Sequence, residues 1–577
     1  NTIVGSKAGD AATTTDDTTL VGYGAGGGAI MTGHDNVAVG SGSLSVTTSG
    51  ASNVAVGKDA LASNTTSSFN VAVGESALNA NTTSGNNTAV GYQSLKVNTG
   101  GSNTAVGRGS LLSNTSGSNN VAIGREALES NTTGANNVAI GKDALTANTT
   151  ANDNTAVGHE ALQANTGNDN TAVGWGALYT NTSAAGNTAV GRKALYSNTT
   201  GDQNVAMGYQ AGESNTTGLG NTSIGYQAGN KITTGSNNTA VGRNALDALT
   251  TASSNSAFGR EALTKLTTGS QNTGIGFESG KEMTTGTNNV AVGHQAMKLV
   301  TTGGNNTGIG SFALAQITTG SSNTGVGNDC MDSVTTGGNN VCMGVDSGQA
   351  ITTGSNNTAI GTDALANCTT SDQNTAVGRT ALTACTGSGN TAVGDGAGFT
   401  ATSATDCIFI GHDAGANQVT TTNDQLYIAR SGASLGTDAV FLYGSSNGSL
   451  INGDNSSTFN TVSDERIKKN IVDSPKGLAE ILQVKIRNFE YRTFDELDDD
   501  VKALNDGKGL NVLNKSGVKT GVIAQELEAI FPNDVTDLPD GTKNVKIENT
   551  QWALIKAVQE LSAKNDALEA RIATLEG

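Results

Sequence analysis

Four kinds of side chain in this sequence could carry chemistry: histidines, cysteines, stacked carboxylates, and one serine set among charges. The histidines, His34, His159, His294 and His412, stand far apart, and no H-x-H or H-E-x-x-H spacing pairs them. They therefore carry no signature of a metal centre, and no cofactor motif accompanies them. Cys368 and Cys385 occupy the same slot of neighbouring repeats, close enough for a disulfide. Five scattered cysteines do not make a disulfide framework, and a small buried hydrophobe is the expected state. Glu126, Asp143 and Glu160, and again Asp329, Asp346 and Asp363, recur at one repeat position, with Arg125 and Lys142 beside them. Such recurrence describes a solvated charged edge, with a cation- or glycan-binding strip as the sharper alternative. A catalytic carboxylate pair is instead an isolated couple held in two different environments. The serine is Ser463, which opens S-D-E-R-I-K-K and has Lys468 and Lys469 following it. On residue types alone this cluster reads as a helix start, with Ser463 as N-cap and Asp464 and Glu465 in the first turn.

The elements that position these groups are set by an internal repeat. A unit resembling N-(T/V)-A-V-G-x-x-A-L-x-x-N-T-T-G-x-N recurs every 17 residues, with an occasional 16, at Asn36, Asn53, Asn70, Asn87 and onward to Asn390, with a variant at Cys407. Asn1 and Thr18 extend it upstream, giving 25 copies. A unit this short cannot bury a core alone, so stacking must supply one, which is the logic of a solenoid. The T/V-A-V segment is the strand; its first and third residues, such as Val54 and Val56, point the same way. The glycine four residues after each anchor, such as Gly57, marks a corner. A second apolar position follows at anchor+8 (Leu61, Leu78), and T-T-G-x-N has turn chemistry. One coil per repeat at about 4.8 Å gives a β-solenoid rod roughly 120 Å long. The anchor+11 slot is asparagine from Asn64 to Asn215 and then turns apolar from Ile232 to Ile351, continuing as Cys368 and Cys385. The slot is expected to face inward or a subunit contact. The Asn-Thr-Thr triplets match a glycosylation sequon, but their regularity marks them as structural.

Composition agrees with a fibrous chain. The 577 residues hold 78 glycines and 3 prolines, with 4% aromatic and 14% charged residues. Scarce proline excludes collagen, and the fixed apolar spacing argues against simple disorder. No apolar run reaches the ~20 residues of a membrane span. A net charge of −18 disfavours nucleic acid and anionic membranes as partners. The chain starts on a repeat boundary without methionine or signal peptide, and the expectation is that an N-terminal region joins it to the rest of a fibre or tail. All three prolines and half of the 32 Lys and Arg lie beyond residue 462, whereas all five cysteines precede it. The division that follows is a rod over 1–415, a β-stalk or transition over 416–462, and a small α+β domain over 463–577.

The last domain ends in a heptad pattern. Leu554, Leu561, Leu568 and Leu575 occupy one core position and Val558, Asn565 and Ile572 the other, the pattern of a short coiled coil with Asn565 as a register-fixing polar residue. The alternative is an amphipathic helix packed within its own chain.

Two resemblances follow. The anchor motif is similar to the head repeats of trimeric autotransporter adhesins, which iterate N-x-(V/A)-A-(I/V)-G; those heads are trimeric left-handed β-rolls that bind host surfaces, though the period here is longer. The run T-V-S-D-E-R-I-K-K-N-I from Thr461, with N-F-E-Y-R (488–492) and G-V-I-A-Q-E-L-E (521–528), resembles the endosialidase-type C-terminal intramolecular chaperone found at the ends of phage tail spikes and fibres. That resemblance implies a homotrimer and self-cleavage just before the serine, here between Val462 and Ser463. It implies Ser463 as nucleophile and Lys468 as base, with Lys469 as the rival base and Asp464 and Glu465 in support. Lysine serves as a base only if desolvation lowers its pKa.

A trimeric adhesive fibre of a virion tail is the resulting expectation, with a host receptor or glycan as partner and a bacterial or cyanobacterial surface adhesin as the alternative. Any enzymatic activity would be single-turnover autoproteolysis. A glycan-degrading rod would need a non-repeating cleft with paired carboxylates, and an ice-binding rod a flat threonine face rather than a corner.

Overall fold

The computed structural model describes residues 1–416, 421, 423–429, 440–444, 450–452, 472–490, 518–537 and 543–576. The chain forms two units, Asn1–Phe459 and Asn460–Gly577.

The first unit is the solenoid. Three-residue strands run from Thr2–Val4 to Ile408–Ile410, one per repeat, each parallel to the next. The register is residue for residue: Val54 opposes Val71, and Ala55 opposes Ala72. The remaining sides of each coil are turns, yet they also bond coil to coil, as in Leu61 N–H to Ala77 O at 3.0 Å and Thr65 N–H to Thr82 O at 2.9 Å. Every coil thus leaves its backbone groups to be satisfied by its neighbours, which is why one coil alone cannot fold.

The middle residue of each strand after the first, small in most of them, faces the interior. Ala55, Ala72 and Ala89 are buried, and the β-branched residues on either side face outward and stay half-exposed. A narrow coil has room for an alanine there, and the larger volume comes from the far wall. Leu61, Leu78 and Leu95 are fully buried but hold φ near +50°. A left-handed conformation costs an L-residue about 1–2 kcal/mol. Burying a leucine contributes about 1.5–3 kcal/mol, enough to hold the strained geometry. Some coils place glycine there instead, among them Gly212 (φ +58°) and Gly229 (φ +57°). The corner glycine has a different reason: a Cβ on Gly74 would sit 2.4 Å from the carbonyl oxygen of Gly91 in the next coil.

The anchors form a buried ladder. Asn137 donates its backbone N–H to Asn120 Oδ1 (2.9 Å) and its amide to Ala151 O (2.9 Å), while its own Oδ1 accepts the N–H of Asn154 at 3.0 Å. The anchor+11 slot also faces inward. Asn131 donates to Asn114 Oδ1 at 2.7 Å and to Gly134 O at 3.0 Å. From Ile232 onward the same slot is packed with aliphatic side chains and then with Cys368 and Cys385, which are buried free thiols. The threonine corners bond along the stack, as in Thr132 Oγ1 to Thr149 O at 2.9 Å.

At its C-terminal end the solenoid is continued by Leu426–Ala429, parallel to Ile408–Ile410, and then by Val440–Gly444 and Leu450–Asn452, each antiparallel to its predecessor. Phe409 stacks on Tyr427 with ring centres 5.5 Å apart and fills the end of the core.

The second unit is α+β. It contains the short helix Leu478–Ile481, an antiparallel pair of Arg487–Phe489 with Lys519–Gly521, and the helix Ala524–Glu528. A second antiparallel pair joins Val535–Asp537 to Lys543–Val545, and the helix Glu548–Glu576 follows. Its core is small: Leu527, Phe531, Val535 and Ala553, with Ile481, Val484, Val522 and Val545 packed around them.

Candidate functional site

The sequence points to the C-terminal unit, and its motifs converge there. N-F-E-Y-R contributes Asn488 and Phe489 of the strand Arg487–Phe489, and G-V-I-A-Q-E contributes the end of the partner strand and the start of the helix Ala524–Glu528. Arg487 grips Glu526 with two parallel bonds, Nε to Oε2 at 3.0 Å and an Nη to Oε1 at 2.6 Å. This fork geometry fixes orientation as well as charge. The Arg487 guanidinium lowers the Glu526 pKa from its ordinary value. Gly521 lies against the Phe489 ring, where a Cβ would come within 3.3 Å. Thr520 Oγ1 donates to Asn488 Oδ1 at 2.8 Å. The two motifs are therefore one structural joint.

The long helix starts on a buried carboxylate. Asp534 accepts the N–H groups of Asn549 (2.9 Å) and Thr550 (2.6 Å), and also the Asn549 amide and the Thr550 hydroxyl, both at 2.6 Å. Burial pushes its pKa up, but the hydrogen bonds from Thr550 and Asn549 outweigh that and hold it below its ordinary value. A carboxylate capping exposed amides at a helix N-terminus also meets the positive end of the helix dipole.

The segment before the short helix is tied to the same helix. Glu560 accepts the Leu478 N–H at 3.1 Å, and Lys556 Nζ donates to Ser474 O at 2.6 Å. Lys476 Nζ donates to Ile530 O at 3.1 Å and lies over the Phe531 ring. Asp534, Glu560 and Lys476 escaped the sequence reading. Nothing local marks them: Asp534 runs into the strand Val535–Asp537 and caps a helix 15 residues on, and the partners of Lys476 and Glu560 lie 54 and 82 residues away.

Residues Val462, Ser463, Asp464, Glu465, Lys468 and Lys469 lie outside the described residues. The heptad residues are described. Leu554, Val558, Leu561, Leu568, Ile572 and Leu575 are exposed in the single chain, whereas Ala553 and Ala557 on another face are buried against the unit's own core. Asn565 is exposed and donates to Glu569 Oε1 at 3.0 Å.

In the rod, the carboxylate stack takes the left-handed position at anchor+6, with φ of 60° at Glu126 and 58° at Asp143. Asp143, His159 and Glu160 bring ligand-type atoms within 4.8 Å of one another. Asp143 is also paired with Lys142 at 3.1 Å and Arg125 at 3.9 Å, cations that compete for the same oxygens. Among the described residues no helix is long and apolar enough to cross a membrane.

Residues 463–536 match the family model described as chaperone of endosialidase. No curated protein and no solved structure matches the chain. The chain thus carries a chaperone-of-endosialidase domain after a long β-solenoid rod.

Proposed function

We propose that the chain is the rod and clasp of a homotrimeric surface fibre, of a phage tail in the first instance or of a bacterial cell surface as the alternative. The observation that carries the reading is the chaperone family match on 463–536, in a chain whose preceding part is a 25-coil rod. In this reading residues 1–415 are the rod, 416–462 the stalk, and 463–577 an intramolecular chaperone. A host receptor or glycan is the partner at the rod, and the rest of the fibre joins at the N-terminal side.

The physical need for a clasp is plain. The repeats are nearly identical, so chains or coils can pair one repeat out of register at little cost. Non-local parallel pairing is also slow to nucleate. A C-terminal trimer aligns three chains first and raises their effective concentration. The exposed stripe Leu554, Val558, Leu561, Leu568, Ile572 and Leu575 supports a coiled coil between copies, with Asn565 setting its register. On the rod, the outward strand residues Ile123, Ile140, Val173, Met207, Phe258 and Ile275 form a second apolar stripe running coil after coil. Contiguous exposed apolar surface of this kind marks association.

The clasp then leaves. Ser463 Oγ attacks the Val462 carbonyl carbon while Lys468, neutral in a desolvated setting, takes the hydroxyl proton. The C–N bond breaks, the proton passes to the Ser463 nitrogen, and an ester links Val462 to Ser463 Oγ. Water hydrolyses the ester to a Val462 carboxylate and a free Ser463 hydroxyl. Expression of the full chain followed by mass analysis tests this. A C-terminal fragment beginning at Ser463, absent from Ser463→Ala, supports the scheme; an intact chain under every condition overturns it.

A further inference from the structure

The position five residues after each anchor forms an outer column on the rod. Over five consecutive coils it reads Trp175, Arg192, Tyr209, Tyr226 and Arg243, and these side chains form one continuous stack. The Arg192 guanidinium lies 5.0 Å from the Trp175 ring centre on one side and 5.7 Å from that of Tyr209 on the other. Tyr209 and Tyr226 stack at 5.3 Å, 11° from parallel, and Arg243 lies over Tyr226 at 5.8 Å. Tyr209 is half-buried and the other four are exposed.

The neighbouring column at anchor+6 reads Gly176, Lys193, Gln210, Gln227 and Asn244, with the Gln227 amide donating to Gln210 at 3.0 Å. Carboxylates flank this stretch in the same column: Asp143 and Glu160 precede it, and Glu261 and Glu278 follow it. Both columns are therefore free of carboxylates for five coils. Lys193 is paired with Glu213 at 3.4 Å, but neither Arg192 nor Arg243 forms an ion pair among the described residues.

The stack decides what can bind. Both faces of Tyr209 and Tyr226 and one face of Trp175 are covered by neighbouring rings and guanidinium groups, so along the two tyrosines a ligand meets ring edges and N–H and O–H donors. Nucleic-acid bases bind through open aromatic faces, and so does the apolar face of a neutral sugar. An edge of fixed donors with two unpaired guanidinium forks suits carboxylates. The coil rise of about 4.8 Å is close to the size of one sugar ring, and Arg192 and Arg243 stand about 14 Å apart. The chain's net charge of −18 does not forbid this, because screening limits each charge to about 8 Å at physiological salt.

We propose that the column from Trp175 to Arg243 binds a carboxylated polysaccharide lying along the rod, with Arg192 and Arg243 engaging its carboxylates and the tyrosine edges and Gln210–Gln227 its hydroxyls. The proposal rests on the reading of the rod as a glycan-contacting fibre and names the site and ligand class. The competing role is cohesion: these coils have Gly212, Ser223 and Gly229 inside, and the aliphatic core is interrupted between Ala211 and Ala228.

The test uses the full chain with two probes of one backbone, polygalacturonate and its fully methyl-esterified form, read by titration and by Trp fluorescence. The acidic polymer is expected to bind, the ester not, and binding to weaken with salt. Arg192→Gln with Arg243→Gln is expected to weaken binding by about tenfold per arginine with the melting temperature unchanged. Equal binding of both polymers, unchanged binding by the double variant, or binding of oligo-dT in preference to polygalacturonate overturns the proposal. So does a double variant that loses melting temperature while the wild type ignores both polymers, which is the cohesive role. If the double variant fails to fold, discrimination by the wild type between acid and ester still decides. The C-terminal fragment is measured in the same preparation, so absent polysaccharide binding with the fragment present refutes the site alone.

Discussion

Asn215 donates its side-chain amide to Asn198 Oδ1 at 2.8 Å, but its own buried Oδ1 has no hydrogen-bond partner, because the next coil offers Ile232. The Asn-to-aliphatic switch thus leaves the last asparagine of the ladder with an unpaired acceptor, as Asn148 Oδ1 also is within the ladder. Asn215→Ile removes that orphan and extends the aliphatic run, although it also takes a donor from Asn198 and Gly218. Asn131→Ile, in the middle of the ladder, strips partners on both sides, including Asn148, which donates to it at 3.0 Å. Each buried group left unpaired costs about 1–3 kcal/mol. Asn131→Ile is expected to lower stability in a denaturant titration by roughly that amount more than Asn215→Ile; equal losses would show that the ladder's pairing is not what the slot requires.

The anchor ladder should be less tolerant still. Asn137→Ala removes the acceptor of the Asn154 N–H and the donors to Asn120 and Ala151. The expected loss is about 3 kcal/mol or more, with faster hydrogen exchange at Asn154 than at coils far along the rod. Uniform exchange along the rod would contradict it.

Much of this rod is legible in the sequence, and the reason is repetition: a period of 17 read many times over overrides weak local propensity. The anchor+11 slot, the corner glycines and the strand fall where the spacing places them. The sequence does not reveal that Leu61 and its equivalents sit at positive φ, because leucine has no local preference for that region and only the stacked neighbours enforce it. In the C-terminal unit the motifs mark Phe489, Gly521 and Glu526, yet Arg487, one residue outside its motif, and Glu560 capping Leu478 are invisible, since their partners are set by tertiary packing 39 and 82 residues away.

Acid should act on the rod in two opposite ways. Burial, and then the charges of Asp329 and Asp363, raise the Asp346 pKa. A raised carboxylate adds stability below its unfolded pKa and loses it as pH rises through the folded value. Asp346→Asn is therefore expected to stabilise at neutral pH, with the gain vanishing in acid. Glu278 is the reverse: hydrogen bonding from Lys281 leads, against burial, in lowering its pKa to about 2. Its contribution is present above the ordinary carboxylate pKa and lost as pH falls toward about 2. Melting curves of Glu278→Gln and Asp346→Asn across pH should diverge at neutrality and converge in acid.

Asp534→Ala removes a buried cap that serves two backbone and two side-chain donors. The C-terminal unit is expected to lose about 2 kcal/mol or more, and Asp534→Asn about half of that. Because hydrogen bonds lower this carboxyl's pKa, its stabilising effect is fully present at neutral pH and fades only as acid passes below the ordinary carboxylate range. Helix content followed by circular dichroism in the isolated variants against pH reads this directly.

The stripe on the outer strand face should matter for association and not for folding of the coil. Ile123→Lys with Ile140→Lys changes two outward side chains without touching the interior. Light scattering is expected to show weaker association with circular dichroism unchanged; association indifferent to both lysines would remove this face from the interface.

The number of chains in the assembled particle tests the trimeric clasp most directly. Sedimentation or light scattering of the purified full-length chain should give three times its mass of 57.7 kDa, less three C-terminal pieces if the clasp has cut itself away. The same gene ended before Ser463 should yield rods that are monomeric or aggregated. A full-length chain that stays a well-folded monomer at every concentration would contradict the account.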